Sequence, residues 1–294
     1  MKHTREYAIL LAVIVVVGLY LLLGSSNGVH YELPQLDTIS AGKADRVDIR
    51  TGNHSLTLRE TNGTWRIADT GYEADRDKVR EMLRKAADPG ITALVSESGD
   101  YSRYHLDELG RVEVEVRQDG ETVRKLYLGK SSGEVGNTYI KLPGDHNIYM
   151  AEKDLRGAFD TTASKLRDRT VFRIDPEKAV SVRLKSRNGT RQFRRVNDSG
   201  GDANATEGTV WETKQGQTVQ DESIRDLLRS LEDLRCRKYT GGLSRNGTRY
   251  TITVKTDNRH SLSLFLPQGK NPGTYEAKSS QRPDPFELAG YLGK

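Results

Sequence analysis

The chain holds two tryptophans, Trp65 and Trp211, and the residues around them repeat. Gly63-Thr64-Trp65 is echoed by Gly208-Thr209-Val210-Trp211. Ahead of each tryptophan lies a pair of short alternating runs. In the first half these are Val47-Asp48-Ile49 and Leu56-Thr57-Leu58. In the second they run from Val180 to Leu184 and from Gln192 to Val196, joined by Asn188-Gly189. Behind each tryptophan, apolar residues fall three and four apart, the spacing of an amphipathic helix. Val79, Met82, Leu83 and Ala86 predict a helix from Arg76 to Ala87; Ile224, Leu227, Leu228 and Leu231 predict one from Asp221 to Leu234. Asp75 and Asp221 are the expected N-caps, because a short carboxylate accepts the helix's first unpaired N–H groups. Three further strand signals then match in order. Val112 to Val116 matches Tyr250 to Val254, Leu126 to Leu128 matches Leu262 to Leu264, and Thr138-Tyr139-Ile140 matches Thr274-Tyr275-Glu276.

A repeat of this length constrains the fold more than any local motif, since each copy must bury its own apolar faces. Each half reads β-β-α-β-β-β, antiparallel hairpins with a helix packed on one sheet face, which is an α+β class. The expected organisation is a first repeat over residues 45–150, a connecting segment over 151–176 that is helical in part from Asp154 to Leu166, and a second repeat over 177–294. Residues 197–208, NDSGGDANATEG, read as an insertion of turn-forming residues.

Before the repeats stands an uncharged apolar run, residues 7–23, YAILLAVIVVVGLYLLL. At 1.5 Å per helical residue it is just long enough to cross a hydrocarbon core of about 30 Å. Lys2 and Arg5 precede it, so the positive-inside rule keeps the N-terminus in the cytoplasm and sends the rest outward. The sequence therefore predicts a cytoplasmic N-terminus and transmembrane anchor over 1–24, a tether over 25–44, and a main domain on the periplasmic side of the inner membrane. A cleaved signal peptide is the rival reading. It would have a shorter apolar region ending at a small-residue site, whereas this run ends in Leu21-Leu22-Leu23-Gly24-Ser25-Ser26. The mean hydropathy of the whole chain is −0.68 even with this run included, so the rest of it is polar.

The residue inventory narrows the chemistry. Cys236 is the only cysteine, which excludes an intramolecular disulfide and a cysteine-based zinc site; it reads as a small, buried helix residue. The six histidines fall in no metal-binding or H-x-E spacing, no carboxylate pair is marked as a general acid and base, and no catalytic residue, metal or cofactor is expected. Leu128-Gly129-Lys130-Ser131 has the look of the end of a phosphate loop, but position 124 is Arg124 where that loop needs glycine. Gly129, Gly133 and Gly136 read instead as a loop between strands. Three of six N-x-[ST] sequons are Asn-Gly-Thr, which is hairpin chemistry; glycosylation there would depend on the host.

One hairpin is crowded with cations: Arg183, Lys185, Arg187, Arg191, Arg194 and Arg195. A basic patch suits anionic lipid headgroups, an acidic partner or an anionic glycan. The same charges would also block edge-to-edge strand pairing. Nucleic acid is not expected, because aromatic stacking residues are not interleaved there.

Several blocks taken in order resemble a known family. Trp65-Arg66-Ile67 is followed by Ala74-Asp75 opening a helix, then Tyr104-His105-Leu106-Asp107, with histidine where the family has glycine. Leu126-Tyr127-Leu128-Gly129, Asn137-Thr138-Tyr139-Ile140, Ile148-Tyr149-Met150 and Leu166-Arg167-Asp168-Arg169-Thr170-Val171-Phe172 complete the series. The pattern resembles the domain of unknown function 4340 family, closely over residues 45–185 and more loosely beyond. The resemblance implies an extracytoplasmic accessory component of a membrane transport complex, working with an ABC permease and a related accessory protein, and it supplies no catalytic residues. The expected function is a non-catalytic, membrane-anchored scaffold of an ABC-type transporter. The alternative is a module that binds envelope glycan or anionic lipid through the basic hairpin. Asp168 is expected to be a salt-bridged structural residue, and His105 implies a local difference in its turn.

Overall fold

The structure, a computed structural model, describes residues 11–19, 32–133, 136–197, 209–219, 221–243, 250–265 and 274–289. It divides into two compact units, Met1–Arg167 and Asp168–Lys294. Residues 11–19 are helical (α1). The remainder of the expected 7–23 span lies outside the described residues, as does most of the 197–208 insertion. Among the described residues no helix is long and apolar enough to cross a membrane.

The first unit contains β1 (Arg46–Arg50), β2 (Ser55–Thr61), β3 (Thr64–Ile67), α2 (Arg76–Ala87), β4 (Ile91–Ser96), β5 (Val112–Gln118), β6 (Glu121–Ser132), β7 (Asn137–Lys141), β8 (Ile148–Ala151), α3 (Leu155–Phe159) and α4 (Ala163–Leu166). Its strands form one antiparallel sheet in the order β3-β2-β1-β5-β6-β7-β8-β4. Alternation decides the faces. Val112, Val114 and Val116 are all but fully buried on the side of α2, together with Leu126, Leu128 and Ile140. The helix lays Val79, Met82, Leu83 and Ala86 on them, and Asp75 caps it by accepting from the Asp77 and Lys78 N–H groups at 3.2 and 3.4 Å.

Three strands here exceed the expected pattern, β3, β4 and β8. Trp65 follows the strand pair, as expected, but lies in a third strand of its own, because Asn62 and Gly63 both take positive φ (52° and 78°). That is the two-residue turn that folds a chain straight back on itself. The sequon at Asn62 is thus a hairpin turn. β4, whose residues do not alternate cleanly, is an edge strand held by β8. Gly129 corrects a second expectation. It lies inside β6, and only Gly133 and Gly136 belong to the turn, with φ of 61° and 75°.

The second unit contains β9 (Thr170–Arg173), β10 (Ser181–Ser186), β11 (Gly189–Asn197), β12 (Thr209–Thr213), β13 (Thr218–Val219), α5 (Asp221–Glu232), β14 (Asp233–Arg235), β15 (Lys238–Tyr239), β16 (Tyr250–Lys255), β17 (Arg259–Phe265), β18 (Thr274–Ser279) and β19 (Arg282–Ala289). The main sheet is antiparallel in the order β13-β12-β11-β10-β16-β17-β18-β19-β15, and β14 pairs with β9 alone. Trp211 again sits in the strand after the first hairpin, buried to 3%. α5 begins at Asp221, so Asp221 is the first helical residue and the capping position, 220, lies outside the described residues. Cys236 is buried, as expected, but just past β14 rather than in the helix.

Residues 151–176 do not form a separate connector. Leu155, Phe159 and Leu166 belong to the first core, and Val171, Phe172 and Ile174 to the second. The apolar positions of this segment are what its charged composition hides.

Candidate binding surfaces

The six cations of the basic hairpin do not form one patch. β10 pairs with β11 so that Arg183 stands opposite Gln192, Lys185 opposite Thr190 and Ser181 opposite Arg194. Directly opposed residues share a face, so Arg183, Lys185 and Arg194 point to one side. Thr251 and Thr253 of β16 lie on that same side, in register with Lys185 and Arg183. Arg191 and Arg195 point to the other side, with Val182, Leu184 and Phe193. Arg195 is bound to Glu177 there, with its NH2 3.1 Å from Oε2, and Arg187 is at the turn. A strand's two-residue period separates neighbours that the sequence shows as a cluster.

Sequence reasoning missed the outer face of the first sheet. Asp48 is nearly buried there, 2.8 Å from the Arg46 Nε and 3.6 Å from that of Arg117, and it accepts from the Thr57 hydroxyl at 2.7 Å. Glu115 sits 2.6 Å from Arg117 NH2 and accepts from the Thr122 hydroxyl at 2.7 Å. Lys125 reaches Glu113 at 2.7 Å. Burial works against ionisation of Asp48, but the Arg46 and Thr57 hydrogen bonds and the nearby guanidinium charges outweigh it and hold the carboxyl below the usual range. The Thr122 hydroxyl, opposed by burial and helped by Arg117 and Lys125, does the same for Glu115. Beside this network Tyr127 lies within reach of three cations, Arg111 at 4.6 Å, Lys141 at 5.2 Å and Lys125 at 5.6 Å from its ring centroid. The signal was present as every second residue of β5 and β6, on the face opposite the valines.

The family-like blocks meet one another in space, and their contacts are structural. Gly129 lets the backbone of the preceding turn come close: a Cβ there would stand 2.3 Å from the Tyr104 carbonyl oxygen. Tyr104 packs edge-on against Tyr139 at 4.8 Å, and Leu106 is buried beside Gly129. His105 takes φ +56°, ψ +39°, the left-handed backbone that favours glycine. The turn therefore keeps the glycine conformation, at a cost of about 1–2 kcal/mol. Thr138 Oγ1 accepts from the Leu155 and Arg156 N–H groups at 3.0 and 3.2 Å and donates to the Lys153 carbonyl at 3.1 Å, fixing the start of α3. Ala74-Asp75 meets the last block, since the Asp75 N–H donates to the Leu166 carbonyl at 2.7 Å. The Arg167 guanidinium covers the Tyr72 ring at 3.6 Å. Asp168 binds Arg282 NH2 at 2.8 Å and accepts from the Thr170 N–H at 2.9 Å, and its carbonyl takes the Tyr239 hydroxyl at 2.9 Å. It is the salt-bridged structural residue expected of it.

Arg124, which breaks the phosphate-loop pattern, is buried. Its guanidinium donates to the Asp37 carbonyl and, at 3.4 Å, to that of Ala87 at the end of α2. Of the histidines described, His54 contacts Thr51 and the Thr161 carbonyl, and His260 contacts Gln281. In the second unit a groove of about 570 Å³ opens between the tip of the β10–β11 hairpin, α5 and the start of β16. Its floor is Leu184, Leu227, Tyr250, Ile252 and Leu264.

Two main antiparallel sheets, each served by one twelve-residue amphipathic helix, define a sheet-rich α+β protein of two units. The family model described as Domain of unknown function (DUF4340) matches residues 65–258, more than half of the chain, and the protein belongs to that family. The match begins at Trp65 in β3 and runs into the second unit, past β16. No curated protein and no solved structure matches the chain.

Proposed function

We propose that this protein is a non-catalytic scaffold, anchored by its N-terminal helix, that presents two duplicated sheet units outside the cytoplasmic membrane to the subunits of an ABC-type transporter. The observation that carries the anchor is the state of residues 11–19. They are helical, and each of their large aliphatic side chains is half or more exposed. Leaving such side chains in water forgoes about 1.5–3 kcal/mol apiece, and a bilayer is the environment that matches a 7–23 span of this composition. Duplication is supported by strand order. The run β3-β2-β1-β5-β6-β7-β8-β4 has its counterpart in β12-β11-β10-β16-β17-β18-β19-β15. The transporter assignment rests on the family resemblance. A scaffold role accords with signature blocks whose contacts hold the fold together.

The test is a crosslinked pull-down from native membranes, with the full chain beside a truncation lacking residues 1–24. Recovery of an ABC permease and its ATPase by the full chain is the expected result, with both lost on truncation if the helix makes the contact. Recovery of envelope polymer or lipid alone overturns the reading. A second reading, a module for anionic lipid or glycan, is favoured by one arrangement: Arg183, Lys185 and Arg194 share a sheet face with Thr190, Thr251 and Thr253. It requires salt-sensitive binding to anionic liposomes that disappears when those three cations are neutralised.

A further inference from the structure

We infer that the groove of the second unit is the docking site for a short acidic amphipathic helix of a partner protein, seated as α3 is seated in the first unit. The two sheets provide the comparison. Ile49 stands opposite Val114 in the first sheet as Leu184 stands opposite Ile252 in the second. Val112 stands opposite Leu128 as Tyr250 stands opposite Leu264. Met82 and Leu227 are each the seventh residue of their helices.

In the first unit these positions are closed: Ile49, Met82 and Val112 are 1%, 2% and 0% exposed. α3 packs on α2, β5, β6 and β7, the helix and strands that carry and adjoin Met82 and Val112, and its Leu155 and Phe159 are completely buried. In the second unit Leu184, Leu227 and Tyr250 are only half-buried and line the groove. No described helix of that unit lies there. The same sheet-and-helix frame thus closes its end with two large apolar side chains four residues apart in one unit and, among the described residues, leaves the place open in the other. Two apolar anchors at this spacing are how a helix enters a groove.

Charge selects the occupant further. Arg191 lines the groove on the face of Leu184 and Ile252, and Arg187 stands at its rim, while no carboxylate is among the described lining residues. A helix with acidic residues flanking the anchors meets complementary potential, and a basic one is repelled. This inference depends on the scaffold reading only for which protein supplies the helix.

The experiment uses the full chain in detergent and a fluorescent peptide of residues 150–164, which carries Leu155 and Phe159, with Lys153→Glu and Arg156→Glu to make it acidic. The expected result is saturable binding, weakened at least about 10-fold by Leu227→Glu or Arg191→Glu in the protein, and by Phe159→Ala in the peptide. Because Cys236 is buried, Leu227→Cys gives a clean accessibility probe. It should react with a maleimide in the folded chain and be protected by the peptide. Ser223→Cys, at an exposed groove position, serves if Leu227→Cys fails to fold. Three results overturn the inference: no saturable binding up to about 1 mM, a Leu227→Cys thiol that reacts only after unfolding, which would mean the chain covers its own groove, or a dimer that Leu227→Glu dissociates, which would assign the groove to a second copy. Peptide binding with a failed membrane pull-down would leave the groove standing and remove the transporter.

Discussion

At the scale of single residues the tightest constraint is Gly129. A Cβ at this position would meet a backbone oxygen, which cannot swing aside as a side-chain end can, at 2.3 Å. Gly129→Ala is therefore expected to lower stability by about 1–3 kcal/mol or more, read by urea unfolding. The buried carboxylates make a separate prediction. Asp48 and Glu115 titrate below the usual range in the folded protein. Above the ordinary carboxylate range both are ionised, folded or not, and their stabilisation is complete. As pH falls below about 4 and through the folded values, the native state must take up protons that the unfolded chain already holds, and stability declines. The Asp48→Asn, Glu115→Gln double variant should be less stable at pH 7 and show a shallower acid decline, measured by urea midpoints between pH 7 and 3. An unchanged acid limb would remove these groups from the account. Gly129 could be read as a glycine but not as a close approach, because its neighbour, the Tyr104 carbonyl, is remote in sequence.

Secondary-structure elements were the most legible layer. The helix over Arg76–Ala87, with its Asp75 cap and its four buried residues, follows directly from spacing and side-chain chemistry. So do the inward-facing valines of β5. β4 and the two-residue β15 were not readable, because they lack the alternation that burial on one face imposes, and the strand containing Trp65 alternates over only four residues, too few to stand out as a strand. α3 was foreseen only as a partly helical stretch. Its five residues are too few to hold a helix unaided, and Thr138 and Asp154 organise its start from outside and within. Thr138→Val keeps the shape and removes the hydroxyl. It is expected to cost about 1–3 kcal/mol, since the Leu155 and Arg156 N–H groups lose their acceptor in a largely buried place. Faster hydrogen exchange confined to residues 155–159 would check the assignment, and uniform exchange would count against it.

For the molecule as a whole, two units with separate cores predict two calorimetric transitions. Gly129→Ala should lower only the first unit's, and Asp168→Ala, which removes the partner of Arg282, only the second's. A single transition moved equally by both would refute independent folding. At this scale the basic hairpin shows why charge counts along a chain mislead. Six cations within a few residues become three on one face, two on the other and one at a turn. The sequence alone determined the α+β class, the two amphipathic helices, the absence of disulfide chemistry and the apolar run at the start, because each depends on local period or composition. Only the tertiary structure decided that residues 151–176 belong to two cores, that Asp48 and Glu115 sit in a buried charge network, and that α3 fills one unit's groove while no described helix fills the other's. Those are contacts between residues far apart in the chain, where burial and pairing depend on what the fold brings alongside.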